Sequence, residues 1–260
     1  MQRSFQPVKS TIVLTTGMLL ACVPVSASVL TLDDGATHNL NYAVAEDDVK
    51  VYNSTTANLL TGGTIEDDLW AFEDSTVNVT GGTIEDDLFA TDDSTVTITG
   101  GSIGSNLLAW SASMVNVSGG TIGSDLDGYD NSTVTVSGGL IGRDLYATNN
   151  SKVNVSGGEI ERNMWARETS EVTVFGIGFN FGYGDYFDQG PLDGVTLTGT
   201  LANGVAFNNL VMITDAATVT LAAPATAVVP EPASIAMFGI GALGLFGYSR
   251  RRRHTSGNAS

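Results

Sequence analysis

Two acidic pairs, Asp67-Asp68 and Asp86-Asp87, stand nineteen residues apart in matching "EDDL" contexts. Carboxylates that recur on a fixed spacing offer the hard oxygen donors that calcium takes. Two carboxyl groups flanking one bond are also what glycoside hydrolysis requires. The column holding the first acid of each pair continues Asp67, Asp86, Ser105, Ser124, Arg143, Arg162, with acids and arginines at opposite ends. Stacked at roughly 4.8 Å per repeat, Asp86 and Arg143 lie about 14 Å apart, too far to act on one bond. No catalytic residue is assigned, and the expectation is a protein that is not an enzyme. A polysaccharide lyase or hydrolase is the alternative. For Asp67, Asp68, Asp86 and Asp87 a calcium site competes with a plainer role, in which short polar side chains bond the backbone at a bend. The glycine-spaced calcium repeat is missing, so the plainer role is expected, with no cofactor and no metal.

A second column could bind rather than react. Trp70, Phe89, Leu108, Asp127, Tyr146 and Trp165 each follow an inward Leu or Met, and Ala or Gly follows them. Period-two alternation points Trp70, Phe89, Tyr146 and Trp165 outward, as a stripe able to stack on sugar rings or on another copy. The competing expectation packs these rings inward, or against the aromatic segment Phe175 to Gly194, because a bend resets the phase.

Composition narrows the partners. The formal charge is −17, and six of the eleven basic residues (Arg3, Lys9 and Arg250 to Arg253) lie near the ends. Nucleic acid is disfavoured as a partner. Cys22 is the single cysteine, and His38 and His254 are the only histidines. A thiolate metal site or a histidine triad is therefore hard to assemble.

The elements that position these columns follow from repetition. Six Gly-Gly pairs begin at 62, 81, 100, 119, 138 and 157. Between them run Val77, Val96, Val115, Val134, Val153 and Val172, then two residues on Val79, Ile98, Val117, Val136, Val155 and Val174. The residue between alternates Asn and Thr, the mark of a half-buried strand. Beyond the glycines stand Ile84 and its equivalents, then Leu88 and its equivalents. Gly-Gly pairs and β-branched runs exclude helix. The sequence predicts an all-β fold, a right-handed parallel β-helix of about seven nineteen-residue coils over 46–176, with three short strands per coil. Residues 28–45 are expected as an N-terminal cap and 177–228 as cap strands and linker.

The two ends read as addresses. Arg3 and Lys9 precede the apolar run Thr11 to Ala21, and "VPVSA" ends at Ala27 as a small-residue cleavage site for signal peptidase. Residues 1–27 are expected as a signal peptide, with lipidation of Cys22 in "LLAC" as the alternative. At the other end, "VPEP" leads into an apolar stretch, about 233–248, and then four arginines, with a short tail at 254–260. Sixteen helical residues would reach ~24 Å, slightly short of a usual membrane span, and the arginines would hold that end in the cytoplasm.

This tail, 229–253, closely resembles the PEP-CTERM sorting signal, on Pro230, Glu231, Pro232 and the cluster Arg250, Arg251, Arg252 and Arg253. The resemblance implies recognition and cleavage by an exosortase, after transient anchoring in the membrane. It also implies export in a Gram-negative bacterium that makes exopolysaccharide and biofilm. It is silent on the activity of the remaining chain. The combined expectation is a cell-surface or matrix protein of structural or adhesive role, with exopolysaccharide or self-association as partners. A glycan- or calcium-binding module is a further alternative.

Overall fold

Val77 and Val79 are fully buried while Asn78 between them faces out, and the same pattern holds one coil on for Val96, Thr97 and Ile98. The coil spacing makes each residue the lateral neighbour of its equivalent, and Val77 pairs with Val96 in parallel register. The computed structural model describes residues 29–44 and 47–224. The signal segment with Cys22 and Ala27, and the tail with Pro230 to Pro232 and Arg250 to Arg253, lie outside the described residues.

Two parallel sheets form the walls. The first stacks Val29–Leu32, Asp48–Val51, Leu69–Ala71, Leu88–Ala90, Leu107–Ala109, Leu126–Gly128, Leu145–Ala147, Asn163–Ala166 and Ala206–Ile213. The second stacks Thr37–Leu40, Thr56–Leu59, Thr76–Val79, Thr95–Ile98, Met114–Ile122, Thr133–Ile141, Lys152–Ile160, Glu171–Ile177 and Thr218–Ala222. The fold is an all-β solenoid of about eight turns. Among the described residues there is no helix, hence none long and apolar enough to cross a membrane. Valine, isoleucine and leucine columns fill the space between the sheets. Each fully buried aliphatic side chain stabilises by about 1.5–3 kcal/mol relative to exposure, and each coil repeats the same contribution against its neighbours.

Three strands per coil hold for the early coils, where Thr83–Ile84 and Ser102–Ile103 stand apart. From Met114 onward the second and third strands fuse through a bulge at the glycine pair, with register shifts on both sides of Ser118. The bulge needs glycine for two reasons. Gly101 lies at φ +81°, and a Cβ at Gly119 would come within 2.4 Å of the Thr99 carbonyl oxygen. Side chains there would push the coils apart.

The stack is longer at both ends than the seven coils expected. Of the cap expected over 28–45, residues 29–44 are described and join the stack, because Val29 pairs with Asp48 and Thr37 with Thr56 as a first rung in solenoid register. The irregular coil after it carries its extra residue at the glycine turn: Thr56 pairs with Thr76, yet Thr64 pairs with Thr83. At the far end the chain leaves the solenoid after Ile177 and returns for one more rung, Leu210 beside Asn163 and Thr218 beside Glu171. Only then do Val195–Leu201 and Gly184–Tyr186 add antiparallel strands. Antiparallel neighbours interrupt further parallel stacking and cover that open edge.

Candidate functional site: an aromatic strip on the first sheet

The first-sheet strands are three residues long in most coils, so their middle residue is the one that faces out. Leu69 and Ala71 are fully buried, and Trp70 between them points away from the core. Register places Trp70 beside Phe89, Tyr146 beside Trp165, and Leu108 and Asp127 between these pairs. All four candidate rings therefore lie on the outer face of one sheet. None packs into the core, and the Phe175–Gly194 segment instead carries its own ring pairs, Phe179 with Tyr183 and Phe181 with Tyr186.

A second aromatic column runs beside the first and was missed by sequence reasoning. The residue after each inward Ala, Gly or Val turns outward again, which puts Phe72, Trp110 and Tyr129 in one row with Tyr52 at its start. Backbone bonds fix the stack: the Trp110 N–H donates to the Ala90 carbonyl, and the Tyr129 N–H to the Ala109 carbonyl. The signal was available two positions beyond the first column, though threonines at 91 and 148 interrupt it.

The two columns interlock from Tyr52 to Tyr129, and Tyr146 with Trp165 forms a separate pair. Trp70 and Phe89 stack face to face at 3.7 Å, and Tyr52 lies 4.6 Å from Phe72. Trp70 bridges to Phe72 at 5.7 Å, and Trp110 meets Phe89 and Tyr129 edge-on at 6.0 Å each. Tyr146 and Trp165 are near-parallel at 6.0 Å. The pairs with centroids 4.6 to 6.0 Å apart contribute about 0.5–1.5 kcal/mol each beyond burial. Phe89 retains 9 % of its exposure and Trp110 36 %. Lys50 sits 6.0 Å over the Trp70 ring, while Arg167 lies 4.6 Å from the Trp165 centroid and 5.0 Å from that of Tyr146.

Asp127 occupies the centre of the first column, between Leu108 and Tyr146. It is 9 % exposed, and its Oδ1 is buried without a hydrogen-bond partner. Burial pushes its carboxyl up to about 7, with Asp125, Asp87 and Asp144 adding to the rise and Arg167 opposing it. Burial also raises the phenols of Tyr129 and Tyr146. A carboxyl of this kind releases its proton near neutrality and accepts hydrogen bonds strongly once ionised.

The acidic pairs separate by role. Asp68 Oδ1 accepts the Asp87 N–H at 3.1 Å, and Asp87 Oδ1 accepts the Asn106 N–H at 2.7 Å. The series continues through Asn106 to Asp125, Asp125 to Asp144 and Asp144 to Asn163. Each side chain thus satisfies the backbone donor of the next coil where the ladder breaks. Asp67 and Asp86 stack on the outside of this bend, the Asp86 N–H donating to the Asp67 carbonyl at 3.4 Å. Asp67, Asp68 and Asp48 bring carboxylate oxygens within 4.8 Å of one another, whereas Asp86 and Asp87 do not join them. Burial raises the carboxyl of Asp67, with neighbouring acids adding to it, and burial also raises that of Asp68 against the opposing hydrogen bond from the Asp87 N–H. The cluster fits calcium only in part. Asp68 Oδ1 already serves the Asp87 N–H, and Lys50 Nζ lies 3.4 Å from Asp48 Oδ2. Calcium takes six to eight oxygens. Arg143 turns to Asp125 at 3.7 Å rather than toward Asp86.

No curated protein and no solved structure matches the chain. Residues 228–253 match the family model of the PEP-CTERM protein-sorting motif. An all-β solenoid is thus joined to a PEP-CTERM sorting signal, and the chain is an exported protein processed by an exosortase.

Proposed function

We propose that the exported solenoid is a structural and adhesive component of the cell surface or extracellular matrix, and that it holds exopolysaccharide without cleaving it. The observation that carries this reading is the pair of aromatic runs on the outer face of one sheet, Tyr52 to Tyr129 and Tyr146 with Trp165, parted at Asp127. The stacked rings turn their faces to one another and present apolar edges outward, with Trp110 the most exposed, and a ribbon of such edges repeated along the rod suits the C–H faces of a repeating polymer. The sorting motif supports the setting, since it delivers the chain outside the cell. Signal peptidase and the exosortase are its processing partners.

The test is retention of the full chain on immobilised exopolysaccharide from the producing strain. Joint replacement Trp70→Ala and Trp165→Ala, with Trp110→Ala added, is expected to lower retention at least tenfold, at about 1 kcal/mol or more per stacked ring. Undiminished retention by a folded variant would remove the reading. Glycan cleavage is the second reading, favoured by Asp127, whose raised carboxyl resembles that of a general acid. Release of new reducing ends from the same polysaccharide, lost on Asp127→Asn, would replace adhesion by catalysis.

A further inference from the structure

We propose that a hollow on the turn beside Trp110 is a sugar subsite, and that the polymer it takes is built of neutral hexoses with adjacent free hydroxyls. This deepens the glycan reading and rests on it.

The hollow is open to solvent, about 720 Å³ in volume, and four successive coils line it. That size falls within the ~300–1,000 Å³ usual for small-molecule sites. Its walls come from a tight turn repeated coil by coil. Ser111, Asp130, Asn149 and Glu168 each sit in the left-handed region, at φ of 59°, 55°, 59° and 59°. The residues that follow them are Ala112, Asn131, Asn150 and Thr169. Backbone bonds hold the stack in step, the Ala112 N–H donating to the Asp92 carbonyl and the Asn131 N–H to the Ser111 carbonyl. Ala112 is shorter than Asp93 before it and Asn131 after it, so the row steps inward at this coil. The aromatic rank meets the hollow at the same place. Trp110 immediately precedes Ser111, Tyr129 immediately precedes Asp130, and Trp110 keeps 36 % of its exposure.

The lining selects the ligand. Asn149 Nδ2 donates to Asp130 Oδ1 at 2.8 Å, and Asn150 Nδ2 to Asn131 Oδ1 at 3.4 Å. The Thr169 hydroxyl donates to the Asn149 carbonyl at 2.9 Å. These bonds order the side chains before any ligand arrives, which lowers the entropy cost of binding. Among the described residues, Asn131 Nδ2, Asp130 Oδ2 and the Glu168 carboxylate have no hydrogen-bond partner. A hydroxyl both donates and accepts, so neighbouring hydroxyls of one hexose can give to a carboxylate oxygen and take from an amide. Its C–H face can rest on the Trp110 edge at the same time. Charge narrows the choice. Among the described residues no lysine or arginine lines the hollow, while Asp130 and Glu168 do, so uronic acids and sulfated sugars are repelled. Four coils at roughly 4.8 Å spacing extend about 14 Å along the rod, room for more than one sugar unit.

Isothermal titration of the full chain in detergent tests this, against neutral oligomers of glucose, mannose and galactose and a glucuronic acid oligomer of equal length. At least one neutral oligomer is expected to bind about tenfold or more tightly than the uronic acid oligomer. Ala112→Leu fills the hollow and leaves every ring and polar partner in place, and the equivalent positions already hold Asp93 and Asn131. It is expected to weaken the neutral oligomer about tenfold or more, the scale of one or two hydrogen bonds. Asp130→Asn is expected to strengthen uronic acid binding by removing a repulsion. Failure of every neutral oligomer to bind, neutral binding that survives Ala112→Leu, or uronic acid bound as tightly would each overturn the hollow as a sugar subsite. Exopolysaccharide retention lost with the three tryptophans would then leave the glycan reading standing, and undiminished retention would overturn both. Calcium bound in place of any oligomer, and lost on Asp130→Asn, would overturn the sugar assignment in favour of a cation.

Discussion

Replacing Asp127 by asparagine should stabilise this protein, and by an amount that depends on pH. Burial moves the carboxyl from an ordinary 3.8 to about 7. Below pH ~4 the group is protonated folded or unfolded, and it contributes nothing to pH dependence. Between those two values the folded chain keeps a proton that the unfolded chain has released, so stability falls as pH rises. Above pH ~7 the full cost of a buried charge is present, on the order of 4 kcal/mol at 1.36 kcal/mol per pH unit. Asparagine fills the same space and cannot ionise, so the variant escapes the loss. Trp70, Trp110 and Trp165 are the only tryptophans and all lie on the strip, which makes urea unfolding followed by their fluorescence a direct readout. Native and variant midpoints should coincide near pH 4 and separate steadily toward pH 8, with the variant more stable. Asp67 and Asp68 titrate alike in both proteins and cancel from the difference. A difference that stays constant across this range would refute the claim that Asp127 is a desolvated, unpartnered acid.

The acidic ladder predicts a contrast between two substitutions: Asp125→Ala should cost about 1–3 kcal/mol in urea unfolding by stranding the Asp144 N–H, while Asp125→Asn should recover most of it. Gly119→Ala should lower the melting temperature clearly, because its Cβ meets the Thr99 carbonyl oxygen at 2.4 Å and the backbone of the adjacent coil must yield. Millimolar calcium is expected to leave melting unchanged, since Asp68 and Asp48 are already engaged. A rise in melting temperature that Asp67→Asn abolishes would restore the cation site. Deleting the exosortase in the producing strain should leave the chain uncleaved and membrane-bound, visible as slower migration, and an unchanged band would contradict processing at 228–253.

Much of the solenoid is legible in the sequence because a coil of fixed length makes spatial neighbours of residues nineteen apart. Val77, Val96 and Val115 are a column on paper and a column in the core for that single reason. The ends were less legible. Residues 29–40 lack a Gly-Gly pair, yet backbone pairing needs no glycine and Thr37 takes its place beside Thr56. The last rung is likewise displaced by the intervening segment that carries Gly184–Tyr186 and Val195–Leu201, which breaks the count without breaking the stack.

The binding face divides in the same way. Outward placement of Trp70, Phe89, Tyr146 and Trp165 follows from period-two alternation, a property of the chain alone. The merger of Trp70 and Phe89 with Tyr52, Phe72, Trp110 and Tyr129 depends on rings leaning across coils and between columns, as Trp70 does toward both Phe89 and Phe72. Asp127 reads in sequence as an interruption of the stripe. Only in the tertiary structure do neighbouring side chains cover it, since desolvation depends on what packs above a residue and not on its period. The sequence by itself determined the coil, the inward columns and the sorting address. The tertiary structure decided that the polar gap in an aromatic row is a buried, unpartnered acid at its centre.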